Sequence, residues 1–138
     1  MGKIEPSMTR AEAWRSMAVA LGHWQLRGYG MWAVEEKGTG AFVGRIGLHY
    51  PEGWPALEVG WLIDRSRWGE GLAPEGGEAA MLYAFEQLNL DHISSVIYPQ
   101  NRASIRVAEK LGMHFEFTTQ VNGRDVSIYG RDRVLNNP

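Results

Sequence analysis

Between Glu58 and Leu88 the chain reads EVGWLIDRSRWGEGLAPEGGEAAMLYAFEQL. An apolar strand pattern runs into a short basic loop, then small residues, then a helix. Glycine at a helix start costs about 1 kcal/mol relative to alanine. Yet Gly69, Gly71 and Ala73 stand here, with Gly76 and Gly77 just beyond. Such a segment has few uses. Small residues ahead of a helix let an anion approach the unpaired N–H groups and the positive end of the helix dipole. Arg65 and Arg67 add positive charge at the edge. The competing reading is a flexible turn whose glycines take left-handed backbone angles. The spacing matches neither the Walker pattern nor the Rossmann G-x-G-x-x-G. An NTP-binding regulator using this loop would also lack its lysine.

The remainder of the chain restricts the architecture. Thr9 and Glu12 have capping-box spacing and open a helix with Trp14, Met17, Ala18, Leu21 and Trp24 as its expected buried face. Strands are predicted at 31–36, 41–50 and 56–64, forming an antiparallel meander. A helix over about 74–89 follows, with Ala79, Leu82, Tyr83, Phe85 and Leu88 inward. Then come a strand at 92–98, a helix at 101–113 ended by Gly112, and a hairpin turning on Asn122-Gly123. Residues 1–8 read as short and irregular. The class is a mixed α/β (α+β) single domain over 1–138, without repeats or a linker.

Composition narrows the function. A formal charge of -2 opposes a nucleic-acid protein acting through bulk electrostatics. The absence of cysteine excludes disulfides, thiolate metal sites and a cysteine nucleophile. His23, His49, His92 and His114 lack paired metal-ligand spacing and read as solvated or capping residues, so no metal is expected. No apolar run or signal core points to a membrane, and a cytoplasmic domain is expected.

Three further stretches carry a resemblance. In "WGEGLAPE", Gly71 and Ala73 fall on the small positions of the Q/R-x-x-G-x-G/A loop, with Trp68 at its first position. "EVGW" lies upstream. "NRASIRVAEKLGM" lies downstream and holds N-x-x-S from Asn101 to Ser104. Over roughly residues 9 to 131 the chain resembles the GNAT superfamily of N-acetyltransferases, in the branch of ribosomal-protein N-terminal acetyltransferases. The resemblance implies a mostly antiparallel central sheet flanked by helices. Such proteins usually begin with another strand and helix, which are expected to be missing before Thr9, and an edge so exposed would favour a homodimer.

It also implies acetyl transfer from acetyl-CoA to a primary amine, on a protein N-terminus or a small molecule. The pyrophosphate would lie on the loop Arg67, Trp68, Gly69, Glu70, Gly71, Leu72 and Ala73. The pantetheine would run like an added strand along Trp61, Leu62 and Ile63, where the sheet splays. Asn101 would bond the pantetheine side, or serve only as a helix N-cap. Ser104 would face the same cleft.

Glu58, on the strand face of Gly60, is the candidate base, or else a carboxylate in a structural hydrogen-bond network. Where many members place a tyrosine acid, this chain has Ala108, leaving Ser104 or water. Pro74 removes one N–H donor near the phosphates, so acetyl-CoA affinity is expected to be reduced. Trp54 could wall the acceptor pocket or simply cover the sheet. Trp14, Trp24 and Trp32 are expected in the core, or on a helix that roofs the acceptor site. Tyr129 is a further cleft candidate. The alternative function is a catalytically degenerate CoA-binding or protein-interaction module.

Overall fold

The computed structural model describes residues 8–134; the irregular start expected for residues 1–8 lies almost wholly outside them. Helix α1 spans Arg10–Arg27 and opens on the expected capping box. Thr9 Oγ1 accepts from Glu12 N–H at 3.1 Å, and Glu12 Oε2 accepts from Thr9 N–H at 3.2 Å. Strands β1 (Met31–Glu35), β2 (Phe42–His49) and β3 (Glu58–Ile63) form the antiparallel meander. A single helical turn over 65–67 and the glycine loop lead to α2 (Leu72–Glu86). β4 (His92–Ile97), α3 (Arg102–Lys110), β5 (His114–Val121) and β6 (Arg124–Asp132) complete the chain.

The six strands order β1-β2-β3-β4-β6-β5. Every neighbouring pair is antiparallel except β3–β4, which is parallel and meets at one register pair, Glu58 with Ser94. The β5–β6 hairpin turns on Asn122 and Gly123, both at positive φ, as a type I′ turn demands. The fully buried centre includes Leu48, Val59, Met81, Ile93, Met113 and Ile128. Among the described residues no helix is long and apolar enough to cross a membrane.

Two helices are rolled differently from expectation. Trp14, Met17 and Leu21 of α1 are exposed, at 69%, 64% and 72%. Polar anchors near the C-terminal end set this roll instead of the apolar stripe. Trp24 Nε1 donates to Met31 O at 2.8 Å, and Arg27 Nε donates to Tyr50 O at 2.8 Å. His23, expected to be solvated or capping, is buried and bonded to two backbone groups. Its Nε2 accepts from Tyr50 N–H and its Nδ1 lies 2.8 Å from Tyr29 O, so the ring proton sits on Nδ1.

On α2 the buried residues are Gly77, Ala80, Met81, Ala84 and Phe85, while Ala79 and Leu82 face solvent. Gly76 and Gly77 explain the roll. A Cβ on Gly76 would strike Ile46 Cδ1, and one on Gly77 would come within 2.8 Å of Leu111 Cδ1. These two glycines let α2 pack closely, Gly76 on β2 and Gly77 on the end of α3.

Candidate active site

β3 and β4 separate after Glu58, and side chains replace the missing ladder. Ser95 Oγ donates to Val59 O at 3.0 Å, and Val96 N–H donates to Glu58 Oε2 at 2.9 Å. Main-chain groups alternate in direction along an antiparallel strand. Asp64 N–H bonds Val43 O on the β2 side, so Leu62 also faces β2. Val59, Trp61 and Ile63 face the gap. Trp68 Nε1 already donates to Ile63 O at 2.8 Å. The amide and carbonyl of Trp61 are therefore the central main-chain groups presented to a guest, while Leu62 contributes its side chain.

Beyond the gap the chain builds the loop. Asp64 Oδ1 accepts from Ser66 N–H at 2.9 Å and Ser66 Oγ at 2.8 Å, winding the single turn over 65–67. Gly69 and Gly71 follow at φ +84 and +78, left-handed angles that side chains rarely adopt. A Cβ at either position would project into open space. Gly71 is the N-cap of α2 and provides no side-chain cap bond. The first amides of α2, at Leu72 and Ala73, thus meet no capping side chain; Pro74 has none to offer. Bare backbone, a helix start and open space together suit an oxyanion.

A groove of about 340 Å³ runs from this loop along β3. Trp61, Leu62, Ile63, Arg67, Trp68, Gly69, Gly71, Leu72 and Ala73 line it, with Ser104 from α3. Glu70 and Asn101 do not. Glu70 holds Arg67, whose Nε and Nη2 donate to it at 2.7 and 3.1 Å. Arg67 also pairs with Glu36, so its charge is already matched. Asn101 Oδ1 accepts from Ser104 N–H at 3.2 Å, which is the N-cap role. Ser104 Oγ accepts from Trp61 Nε1 at 3.3 Å, tying α3 to β3 across the splay.

Sequence reasoning passed over Arg106 and Lys110, which line the groove and are solvent-exposed cations without ion-pair partners among the described residues. Their signal was a basic stripe at i, i+4 on a helix whose other face is apolar.

A second cavity of about 230 Å³ lies between α1 and the β2–β3 face. Ser16, His23, Arg45, His49, Glu58 and Gly60 are among its walls, and Trp61 and Leu62 belong to both spaces. Glu58 is its most perturbed group. Burial pushes its carboxyl up to about 7, against the pull of the Val96 amide and of Trp54, whose Nε1 donates to Oε1 at 3.2 Å. Trp54 is therefore a partner of Glu58, and its ring meets His49 of β2 edge-on at 5.3 Å. His49 stacks on His23 at 5.5 Å between centroids; burial, with His23 and Arg45 nearby, lowers its pKa. Ala108 is fully buried, and Tyr129 packs against the core and Phe115.

Residues 1–114 match the Acetyltransferase (GNAT) domain family. The chain belongs to that family. It is 37% identical over 109 residues to the uncharacterized protein YkkB of Bacillus subtilis (strain 168), covering 76% of this chain and 63% of that one. The GNAT chain thus spans less than two thirds of that relative. An acetyltransferase of Agrobacterium tumefaciens str. C58 superposes with a TM-score of 0.83 at 30% identity, over 94% of this chain and 75% of the other. The ribosomal alpha-N-protein acetyltransferase RimL, solved in complex with coenzyme A, shares the fold with a TM-score of 0.73 at 21% identity, over 91% and 73%.

Proposed function

We propose that this GNAT domain transfers an acetyl group from acetyl-CoA to a primary amine by direct attack. One observation carries the reading: the uncapped start of α2, held open by Gly69 and Gly71, leads along the splayed strand to a cavity containing a near-neutral buried carboxylate. The pyrophosphate would lie on the amides of Leu72 and Ala73, with Arg106 and Lys110 supplying the positive charge that Arg67 cannot. The pantetheine would pair with the main chain of Trp61. RimL's complex with coenzyme A supports the choice of cosubstrate for a shared fold.

In the reaction the amine nitrogen forms a C–N bond to the acetyl carbon as the C–S bond breaks. The proton lost by the amine passes to Glu58, directly or through water, and the departing thiolate takes one from Ser104 or solvent. Glu58, titrating near 7, is ionised often enough to accept that proton at neutral pH.

The test is calorimetric titration with acetyl-CoA, using ATP–magnesium as the control, followed by free-thiol release in the presence of amines. Binding of acetyl-CoA with amine-dependent thiol release is the expected result. Binding without release for any amine would indicate a CoA-binding module, and no binding would overturn both readings.

A further inference from the structure

The cavity between α1 and the sheet has two chemically different ends. Its floor is one face of β2 and β3, where Arg45 pairs with Leu62, Gly47 with Gly60, and His49 with Glu58. Gly60 leaves the middle bare, because a Cβ there would meet nothing nearer than Met31 Cε at 3.9 Å. The carboxyl end holds Glu58 and His49. The other end holds Arg45, four residues away on the same strand face and so about 13 Å along it at ~3.3 Å per residue.

Arg45 differs from Arg27 and Arg67. Arg27 bonds Tyr50 O and Glu52, and Arg67 bonds Glu36 and Glu70. Arg45 forms no ion pair among the described residues, and its one hydrogen bond is a long 3.5 Å contact from Nη1 to Ser16 Oγ. It is half-buried and lines the cavity. A guanidinium withdrawn from water loses solvation that an oxyanion restores, through paired N–H donors matched to its geometry. His49, at the carboxyl end, has its charged form disfavoured and so offers no competing cation in the cavity. The cavity is also smaller than the roughly 300–1,000 Å³ of sites for drug-sized ligands, which suits a short molecule or the tip of a chain.

We infer that the acceptor is a primary amine that also carries an oxyanion, a carboxylate or phosphate several bonds from the nitrogen, and that Arg45 holds this group while the amine lies at the Glu58 end. The assignment of ends rests on the acetyl-transfer reading. The anion site itself rests on Arg45 and the cavity.

The experiment uses ε-aminocaproate, its uncharged amide and aminopentyl phosphate on the full chain. Each compound is measured for thiol release with acetyl-CoA, and for calorimetric binding in the presence of CoA. The oxyanion-bearing amines should exceed the amide by about tenfold or more in kcat/KM and in affinity. Arg45→Met should erase that preference, chiefly by raising KM for the oxyanion-bearing amines until they no longer exceed the amide. Arg45→Lys should restore part of it, and melting temperature confirms that both variants fold.

Preference for the carboxylate or for the phosphate identifies the source of the anion. Equal use of amide and anionic amines, or a preference that survives Arg45→Met, overturns the inference while leaving acetyl transfer standing. Charge-selective binding without any thiol release would uphold the anion site and sink the transfer reading.

Discussion

The groove and the cavity share Trp61 and Leu62 but are made of different materials. The groove's recognition surface is mostly backbone: left-handed glycines, uncapped helix amides, and a strand edge released by the splay. The cavity is made of side chains from α1, β2 and β3, converging on a floor left bare by Gly60. A backbone-built site fails when its conformation or its bare space is lost. A site built from side chains fails one chemical group at a time. Substitutions that fill or distort the groove's bare backbone should therefore abolish binding outright, while those in the cavity should separate binding, turnover and selectivity.

The largest expected effect is Gly71→Trp. The indole would fill the open space over the α2 start, and its backbone angle adds about 1–3 kcal/mol of strain. Calorimetry should find acetyl-CoA binding lost while far-UV circular dichroism remains native. Retained binding would mean that the anion lies elsewhere.

Next comes Glu58→Gln, where turnover should fall by about 10²-fold or more. Acetyl-CoA affinity should stay within about twofold, because the groove does not include this side chain. In the wild type kcat/KM should rise as the pH passes about 7, where Glu58 ionises, and the variant should lose that step. An unchanged profile would leave Glu58 as the tie between β3 and Val96.

The same group gives a stability test of opposite pH direction. Folded Glu58 keeps its proton up to about pH 7, whereas the unfolded chain loses it near 4.5. Its contribution is full below pH 4.5 and is lost as the pH rises to about 7, a fall of ~3 kcal/mol. Denaturant titrations of the wild type and Glu58→Gln should converge in pH dependence once that loss is subtracted. Parallel curves would mean that the carboxyl is better hydrated than its burial suggests.

Smaller effects should come from the cations around the groove. Arg106→Ala with Lys110→Ala should weaken acetyl-CoA binding about tenfold at low salt and less at high salt, because exposed charges are screened. Arg67→Gln should change it by less than about twofold, since Glu36 and Glu70 already match that charge. If Arg67 mattered more than the α3 pair, the charge assignment along the groove would have to be reversed.

The contrast in materials also explains what could be read from the sequence. Gly69 and Gly71 declared the loop because only a special backbone conformation calls for them there, and Asn122-Gly123 declared the hairpin for the same reason. The splay could be anticipated only through the family resemblance. The cavity was harder to see because His23, Arg45 and His49 acquire meaning from one another's position, and nothing local marks them. A signal did exist: Arg45-Gly47-His49 and Glu58-Gly60-Leu62 are two alternating triplets with glycine at each centre, which register would bring face to face.

The roll of α1 was misjudged because hydrogen bonds from Trp24 and Arg27 to backbone, absent from any periodicity count, outweigh the burial of Trp14, Met17 and Leu21. Gly76 and Gly77 were misread in the same way, since close packing against Ile46 and Leu111 is a tertiary fact.

The indoles that flank the groove have a practical consequence. Trp61 and Trp68 both line it, each with its ring N–H bonded to a protein oxygen and its rings beside the space a ligand would fill. A purine ring or thioester arriving there would alter the polarity around two intrinsic fluorophores. Occupancy of the groove thus carries an optical signature, readable in real time without labels and separable by single Trp→Phe replacements.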